Sequence, residues 1–192
     1  MRKIIGFAII LSCLISSSYI QAETFEIDKV HSSIEFKIRH LVSNMKGSFN
    51  DFNAKIEFDE NDKNVSSVVA SVQTASIDTN NDKRDNHLKG EDFFDVEKHP
   101  EMTFQSKKVE FHSDSQASIT GDFTLLGVTK EVVFETEYLG SAKAFGTTKI
   151  GFTATTAINR KDFGMQYNRV LDSGGVVVGD KVEITIEIEA HI

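Results

Sequence analysis

Residues 181–191 read KVEITIEIEAH, with Val182, Ile184, Ile186 and Ile188 on one side and Glu183, Thr185, Glu187 and Glu189 on the other. Successive strand side chains face opposite sides of a sheet, so this stretch is predicted to be a strand with one apolar and one wet face. The same period of two recurs backward through the chain, over residues 147–159, 130–139, 115–126 and 102–112. Further upstream, Val68, Ala70 and Val72 share a face within 65–77, and Phe52, Ala54, Ile56 and Phe58 oppose Asn53, Lys55 and Glu57. Ile34, Phe36 and Ile38 oppose Glu35, Lys37 and Arg39 within 33–41, and Phe25 pairs with Ile27 within 24–28. Turn signals separate most of these runs, at Asp59-Glu60-Asn61-Asp62, Ser113-Asp114, Leu126-Gly127, Gly140-Ser141 and Ser173-Gly174-Gly175. Eight or nine strands with mostly short links predict an all-β, antiparallel architecture, either a barrel or a two-sheet sandwich.

What the apolar faces enclose is a separate question. A sandwich must interdigitate its two faces, whereas a barrel either fills itself with side chains or keeps room for a ligand. Large flat Phe side chains stand beside small ones at Ala54, Ala70, Ala154 and Thr156, and there is no Trp. That mixture suits a cavity, and it equally suits Phe and Ala tiling a filled core.

Residues 1–22 have the layout of a secretory leader: Arg2 and Lys3, an apolar run over 4–15, three serines, and Gln21-Ala22 before the expected cut. The run is short for a membrane anchor, and Cys13 sits too near the start of the apolar region for a good lipoprotein box. Residues 23–192 are then expected to be one domain, in the periplasm. The 21 Lys and Arg fall to 19 against 29 Asp and Glu, a formal charge of −10, and the lone cysteine leaves with the leader. Thiol and disulfide chemistry are therefore excluded from the mature chain. An acidic surface without a basic run also argues against nucleic acid.

One segment breaks the alternation. Residues 76–104, SIDTNNDKRDNHLKGEDFFDVEKHPEMTF, carry a charged run, a Phe-Phe pair and the chain's one proline. Asn81 or Asp82 is expected to cap a short helix over 83–89, ended by Gly90 in the left-handed region. Leu88, Phe93 and Phe94 would pin the segment onto a barrel mouth, Pro100 would precede the next strand, and Arg84 and Asp85 would join a buried polar network there.

Signatures of catalysis are sparse. The six histidines show no HxxH or HExxH spacing, so no zinc site is indicated, and there is no GxSxG. Asp162-Phe163-Gly164 lacks the companion motifs of a kinase and reads as a turn. His87 with Asp82 or Asp85 is the one acid-base grouping to weigh, and such a helix face is far more often solvated. Asn64-Val65-Ser66 fits a glycosylation sequon that occurs often by chance.

The motifs taken together resemble the YceI-like family. They are Asp28-Lys29-Val30-His31-Ser32-Ser33, His40-Leu41, Gly47-Ser48-Phe49, Ser76-Ile77-Asp78-Thr79, Arg84-Asp85-Asn86-His87-Leu88 and Asp92-Phe93-Phe94-Asp95-Val96. Residues 100–104, Gly127-Val128-Thr129-Lys130, Asn159-Arg160-Lys161-Asp162-Phe163-Gly164-Met165 and 182–190 extend the match over essentially the whole mature chain. The resemblance implies an extended, eight-stranded, lipocalin-like barrel in the periplasm, with a helix and loop over about 78–101 near its mouth. It implies a binding protein rather than an enzyme, with no cofactor, that takes a polyisoprenoid such as a prenyl quinone or prenyl phosphate, or a fatty-acid-like amphiphile. A homodimer and transient contact with a membrane belong to the same expectation. Alternation then nominates as wall residues Phe36, Ile38, Phe52, Ile56, Phe104, Phe123, Phe134, Phe152 and Ile186. The mouth residues are Arg84, Asp85, His87, Phe93 and Phe94. The rivals are an enzyme centred on His87 and a filled barrel acting only as a protein-interaction module.

Overall fold

The computed structural model describes residues 22–169 and 176–192. The proposed leader and the Ser173-Gly174-Gly175 turn lie outside the described residues, apart from Ala22. Among the described residues, eleven strands and one α-helix follow in order: β1 (Glu23–Ile27), β2 (Ser33–His40), β3 (Ser43–Phe49), β4 (Phe52–Phe58), β5 (Ser67–Gln73), β6 (Ile77–Asp78), α1 (Asp82–Lys89), β7 (Glu101–Phe111), β8 (Gln116–Leu125), β9 (Val128–Ala144), β10 (Thr147–Asn159) and β11 (Val178–His191). All pairings are antiparallel, and eight strands run β1-β4-β5-β7-β8-β9-β10-β11 before β1 meets β11 again, closing a barrel. Closure removes the free edges that an open sheet of this length would leave.

One edge of β11 is shared. Near its C-terminal end it pairs with β1 through Glu26 and Ile27, and along the rest with β2, from Ser33 opposite Glu187 to His40 opposite Val178. From β2 the sheet continues outward through β3 to the two-residue β6, which delivers the chain to α1. The long excursion is thus anchored at one end of the barrel by an extension of the barrel's own sheet.

Several expectations are corrected. The strand expected over 65–77 stops at Gln73, because Thr74 is fully buried and its hydroxyl donates to His99 O at 2.7 Å, which turns the backbone through a 3-10 turn. β3 has no counterpart in the alternation, since Gly47 stands where an apolar side chain would mark the inner face. Gly140-Ser141 is not a turn: Gly140, at φ 112°, forms a bulge that lets β9 run on to Ala144, and the real hairpin turn is Phe145-Gly146. Leu126 and Gly127 do make the expected tight turn, both at positive φ. Asn81 caps α1 by accepting from Arg84 N at 3.0 Å, but Gly90 leaves the helix in extended rather than left-handed geometry. Asp162-Phe163-Gly164 closes a 3-10 turn over Arg160–Phe163 with Gly164 at φ 88°.

A lidded apolar cavity as the candidate functional site

The barrel is hollow. An internal cavity of about 1080 Å³ runs between its walls. Strand parity aims the side chains of alternate residues inward, and all nine nominated wall residues line this space: Phe36, Ile38, Phe52, Ile56, Phe104, Phe123, Phe134, Phe152 and Ile186. Ala54, Ala70 and Ala154 line it too, supplying room where a larger side chain would cross the lumen, whereas Thr156 gives its hydroxyl to Val133 O. Two glycines set the width. A Cβ at Gly121 would lie 2.4 Å from the Phe104 ring, and one at Gly47 would lie 2.6 Å from the Phe36 ring. Each ring therefore reaches into the space that a side chain at the glycine would fill.

One end is plugged. Phe58, Tyr138 and Phe152 pack with centroids 5.0 to 5.5 Å apart, backed by Phe25, Ile150 and Ala190. Burial pushes the Tyr138 hydroxyl above its usual range, and the hydroxyl donates to Glu60 at 3.2 Å. Behind the plug, the corner between β1 and β2 is latched to β11. Ser32 exchanges hydrogen bonds with the Glu189 backbone, and His31 Nδ1 lies 2.8 Å from Asp28 Oδ2. That hydrogen bond, above all, holds the Asp28 carboxyl down at about 2. Asp28, His31 and Glu189 converge as a divalent cation would need, but the Lys149 ammonium already bridges the two carboxylates.

The latch should show in acid. A carboxyl depressed in the folded state stabilises the fold fully above its unfolded value near 3.8, and that contribution disappears as the pH falls toward 2. In urea unfolding, wild type is expected to exceed Asp28→Asn in stability at pH 5, with the gap shrinking between pH 4 and pH 2. A gap that stays constant over that range would mean the ionised carboxylate is not what stabilises the corner.

The other end is lidded. Phe93 and Phe94 are buried against the lumen, Phe94 edge-on to Phe49 at 5.5 Å, and Leu88 anchors α1 beside them. His87 lies edge-on between Phe93 and Tyr167, 5.1 Å from each. Asp85 does not line the cavity; it is buried beneath the helix and accepts from the Thr79 backbone N–H at 3.1 Å and from the Thr79 hydroxyl. Arg84 completes the network, its Nε donating to Thr79 Oγ1 and Nη2 to Thr79 O, both at 2.7 Å. The acid-base grouping weighed for His87 is not assembled. His87 Nε2 lies 2.9 Å from Asp92, and Asp85 is committed to Thr79.

Sequence reasoning passed over three contributors here. Arg160 is almost fully buried in the wall, donating through Nε to Gly179 O at 2.9 Å and through Nη1 to Met165 O at 2.8 Å, so it ties the turn after β10 to the start of β11. Tyr167 and Arg169 complete the rim, linked by a 3.0 Å hydrogen bond. Residues 160–169 have no periodicity to betray them, and the Asn159 to Met165 motif, quoted only for its resemblance, was the available signal.

Comparison with known proteins agrees with this geometry. A family model described as the YceI-like domain matches residues 25–190. The chain belongs to the YceI-like domain family. A UPF0312 protein of Staphylococcus aureus is 39% identical over 171 residues, which is 88% of this chain and 97% of that protein. Among solved structures, the YceI protein of Campylobacter jejuni is 38% identical with a TM-score of 0.70, covering 81% of this chain and 90% of that one. A polyisoprenoid-binding domain from Saccharophagus degradans shares the fold at a TM-score of 0.63 and 12% identity, over 86% of this chain and 97% of that one.

Proposed function

We propose that this protein holds one long amphiphilic lipid in its barrel, a polyisoprenoid such as a prenyl quinone or prenyl phosphate, and carries it through the periplasm once its leader is removed. The observation that carries the reading is the apolar cavity of about 1080 Å³, plugged by aromatics at one end and lidded at the other. It lies at the upper edge of the roughly 300–1,000 Å³ range of small-molecule pockets, which gives room for a large occupant. The Saccharophagus degradans domain of the same fold, described as binding a polyisoprenoid, supports that class of ligand. The leader-like residues 1–22 support the compartment.

Energetics explain why the ligand must be a fitted lipid rather than any grease. At about 0.8 kcal/mol per CH₂, a chain of roughly eight isoprene units would nominally exceed the strongest non-covalent affinities known. Incomplete burial and ordering costs absorb the surplus, which leaves lumen length and rim chemistry to select among lipids. Glu35 is the one carboxylate among the described lining residues, against Lys46, Lys83, Arg84, Arg160 and Arg169.

Native mass spectrometry of protein purified from the periplasm, followed by solvent extraction, tests the proposal. A stoichiometric isoprenoid is the expected result. A stoichiometric acyl chain would move the reading to a fatty-acid or fatty-amide binder, and a bare polypeptide that also refuses added prenyl quinone would overturn it in favour of a protein-interaction module.

A further inference from the structure

The plugged end of the cavity is a floor against which a chain must stop. β10 runs the length of the lumen, since Ile150 belongs to the plug and Ile158 to the cluster beneath the lid. Its inward positions from plug to lid are Ile150, Phe152, Ala154, Thr156 and Ile158, and Phe152 is the first of them to line the cavity. Phe58 lines it beside Phe152, their rings edge-on at 5.5 Å. Beyond these two rings the space is filled: Phe25, Ile150 and Ala190 are each at most 2% exposed, and neither they nor Tyr138 line the cavity.

The floor is also pinned from outside. Glu60, on the connection between β4 and β5, accepts from the Tyr138 hydroxyl at 3.2 Å and from the Ser141 hydroxyl at 2.9 Å. Lys63, on the same connection, donates to Asp114 O at 2.7 Å and holds its ammonium 4.8 Å from the centre of the Tyr138 ring. Tyr138 is thus clamped between the connection and its aromatic neighbours, and Phe58 and Phe152 cannot retreat without displacing it. The lid end, by contrast, brings Arg84, His87 and Arg169 to the lining. A long amphiphile therefore lies with its head at the lid and the end of its tail on Phe152.

We propose that Phe152, backed by Phe58 and the clamped Tyr138, sets the longest prenyl tail that the lumen accepts. This rests on the lipid-carrier reading and adds which tails are carried. A tail one isoprene unit too long either pushes the pinned rings out of a packed cluster or leaves a unit in water at the lid, and both weaken binding. A fixed floor in this way turns an indiscriminate affinity for hydrocarbon into a length limit. Truncating Phe152 opens an apolar recess of the kind that stays dry and takes up a benzene molecule, roughly the carbon count of one isoprene unit.

Native mass spectrometry of the purified mature protein, offered a mixture of prenyl quinones whose tails differ by single isoprene units, tests it. Wild type is expected to load tails up to a sharp limit. Phe152→Ala should raise that limit by one unit and increase occupancy by the first excluded tail roughly tenfold. Ala154→Phe, which places a ring at the next inward position toward the lid, should lower the limit, and a change of opposite sign separates floor height from damage to the fold. Phe104→Ala, which removes the same ring from the side wall, should leave the limit where it is. The proposal is overturned by a limit that neither Phe152→Ala nor Ala154→Phe moves, by a wild type that loads every tail alike, or by Phe104→Ala moving the limit as far as Phe152→Ala does. Each of those results leaves the carrier reading standing, whereas a wild type that loads no prenyl quinone refutes the carrier reading and the length limit with it.

Discussion

Phe134→Asp is expected to abolish lipid retention at neutral pH while the barrel still folds. Phe134 lies in the middle of β9, packed edge-on to Phe104 at 5.1 Å, and forms part of the lumen wall. Without a lipid, the space beside an aspartate there is open enough to hydrate it. With a lipid in place, the carboxylate is pressed against hydrocarbon and must lose that hydration, at an effective cost of several kcal/mol. The penalty therefore falls on the loaded state far more than on the empty one. A loss of about 4 kcal/mol would weaken binding roughly a thousandfold. Protonation removes the charge, so affinity should recover as the pH is lowered from 8 to 5, and Phe134→Asn, which cannot ionise, should lose less and show no such recovery. Circular dichroism verifies the fold and a fluorescent prenyl probe measures the binding. Wild-type affinity in the aspartate variant, with the fold intact, would remove Phe134 from the binding wall.

Strand parity made the inner wall legible from sequence, because one residue in two must face inward once a sheet closes. Phe36, Phe104, Phe134 and Ile186 could be placed with no knowledge of which strand neighbours which. Pairing was harder to see. β3 pairs with β2 along its length, yet Gly47 erases its apolar signature. That glycine and Gly121 were themselves a signal, since a glycine inside a strand often marks a close approach, here of the Phe36 and Phe104 rings. The lid was half legible. Apolar residues in a polar run, Leu88, Phe93 and Phe94, had to be buried against something. Asp85 could be assigned to a polar network but not to a place within it, because burial beneath a helix depends on how β6 delivers the chain. The rim was hidden for the same reason: Leu41, Tyr167, Arg169 and Val176 meet only because β11 pairs with β2.

Asp85→Ala is expected to speed lipid release by about a hundredfold with a much smaller effect on the barrel itself. Asp85 satisfies the buried backbone N–H and the hydroxyl of Thr79, and Arg84 clamps the same threonine from the other side. Alanine leaves that N–H without an acceptor in a buried setting and removes hydrogen bonds to a charged group, a combined cost of about 3 kcal/mol. Thr79 joins β6 to α1, so the cost is borne by the closed lid and is relieved when the segment lifts away and its polar groups reach water. A free-energy change of that size, placed on closed against open, multiplies the open population about a hundredfold. Release measured by transfer of a fluorescent prenyl lipid to acceptor vesicles should accelerate accordingly. Asp85→Asn keeps an acceptor oxygen for Thr79 and should retain much of the wild-type rate. Hydrogen exchange should rise over residues 79–96 and far less across β8 to β10, whose backbone groups are held by their own ladders. An unchanged release rate beside a lowered melting temperature would mean that the Thr79 network supports the fold without gating the cavity.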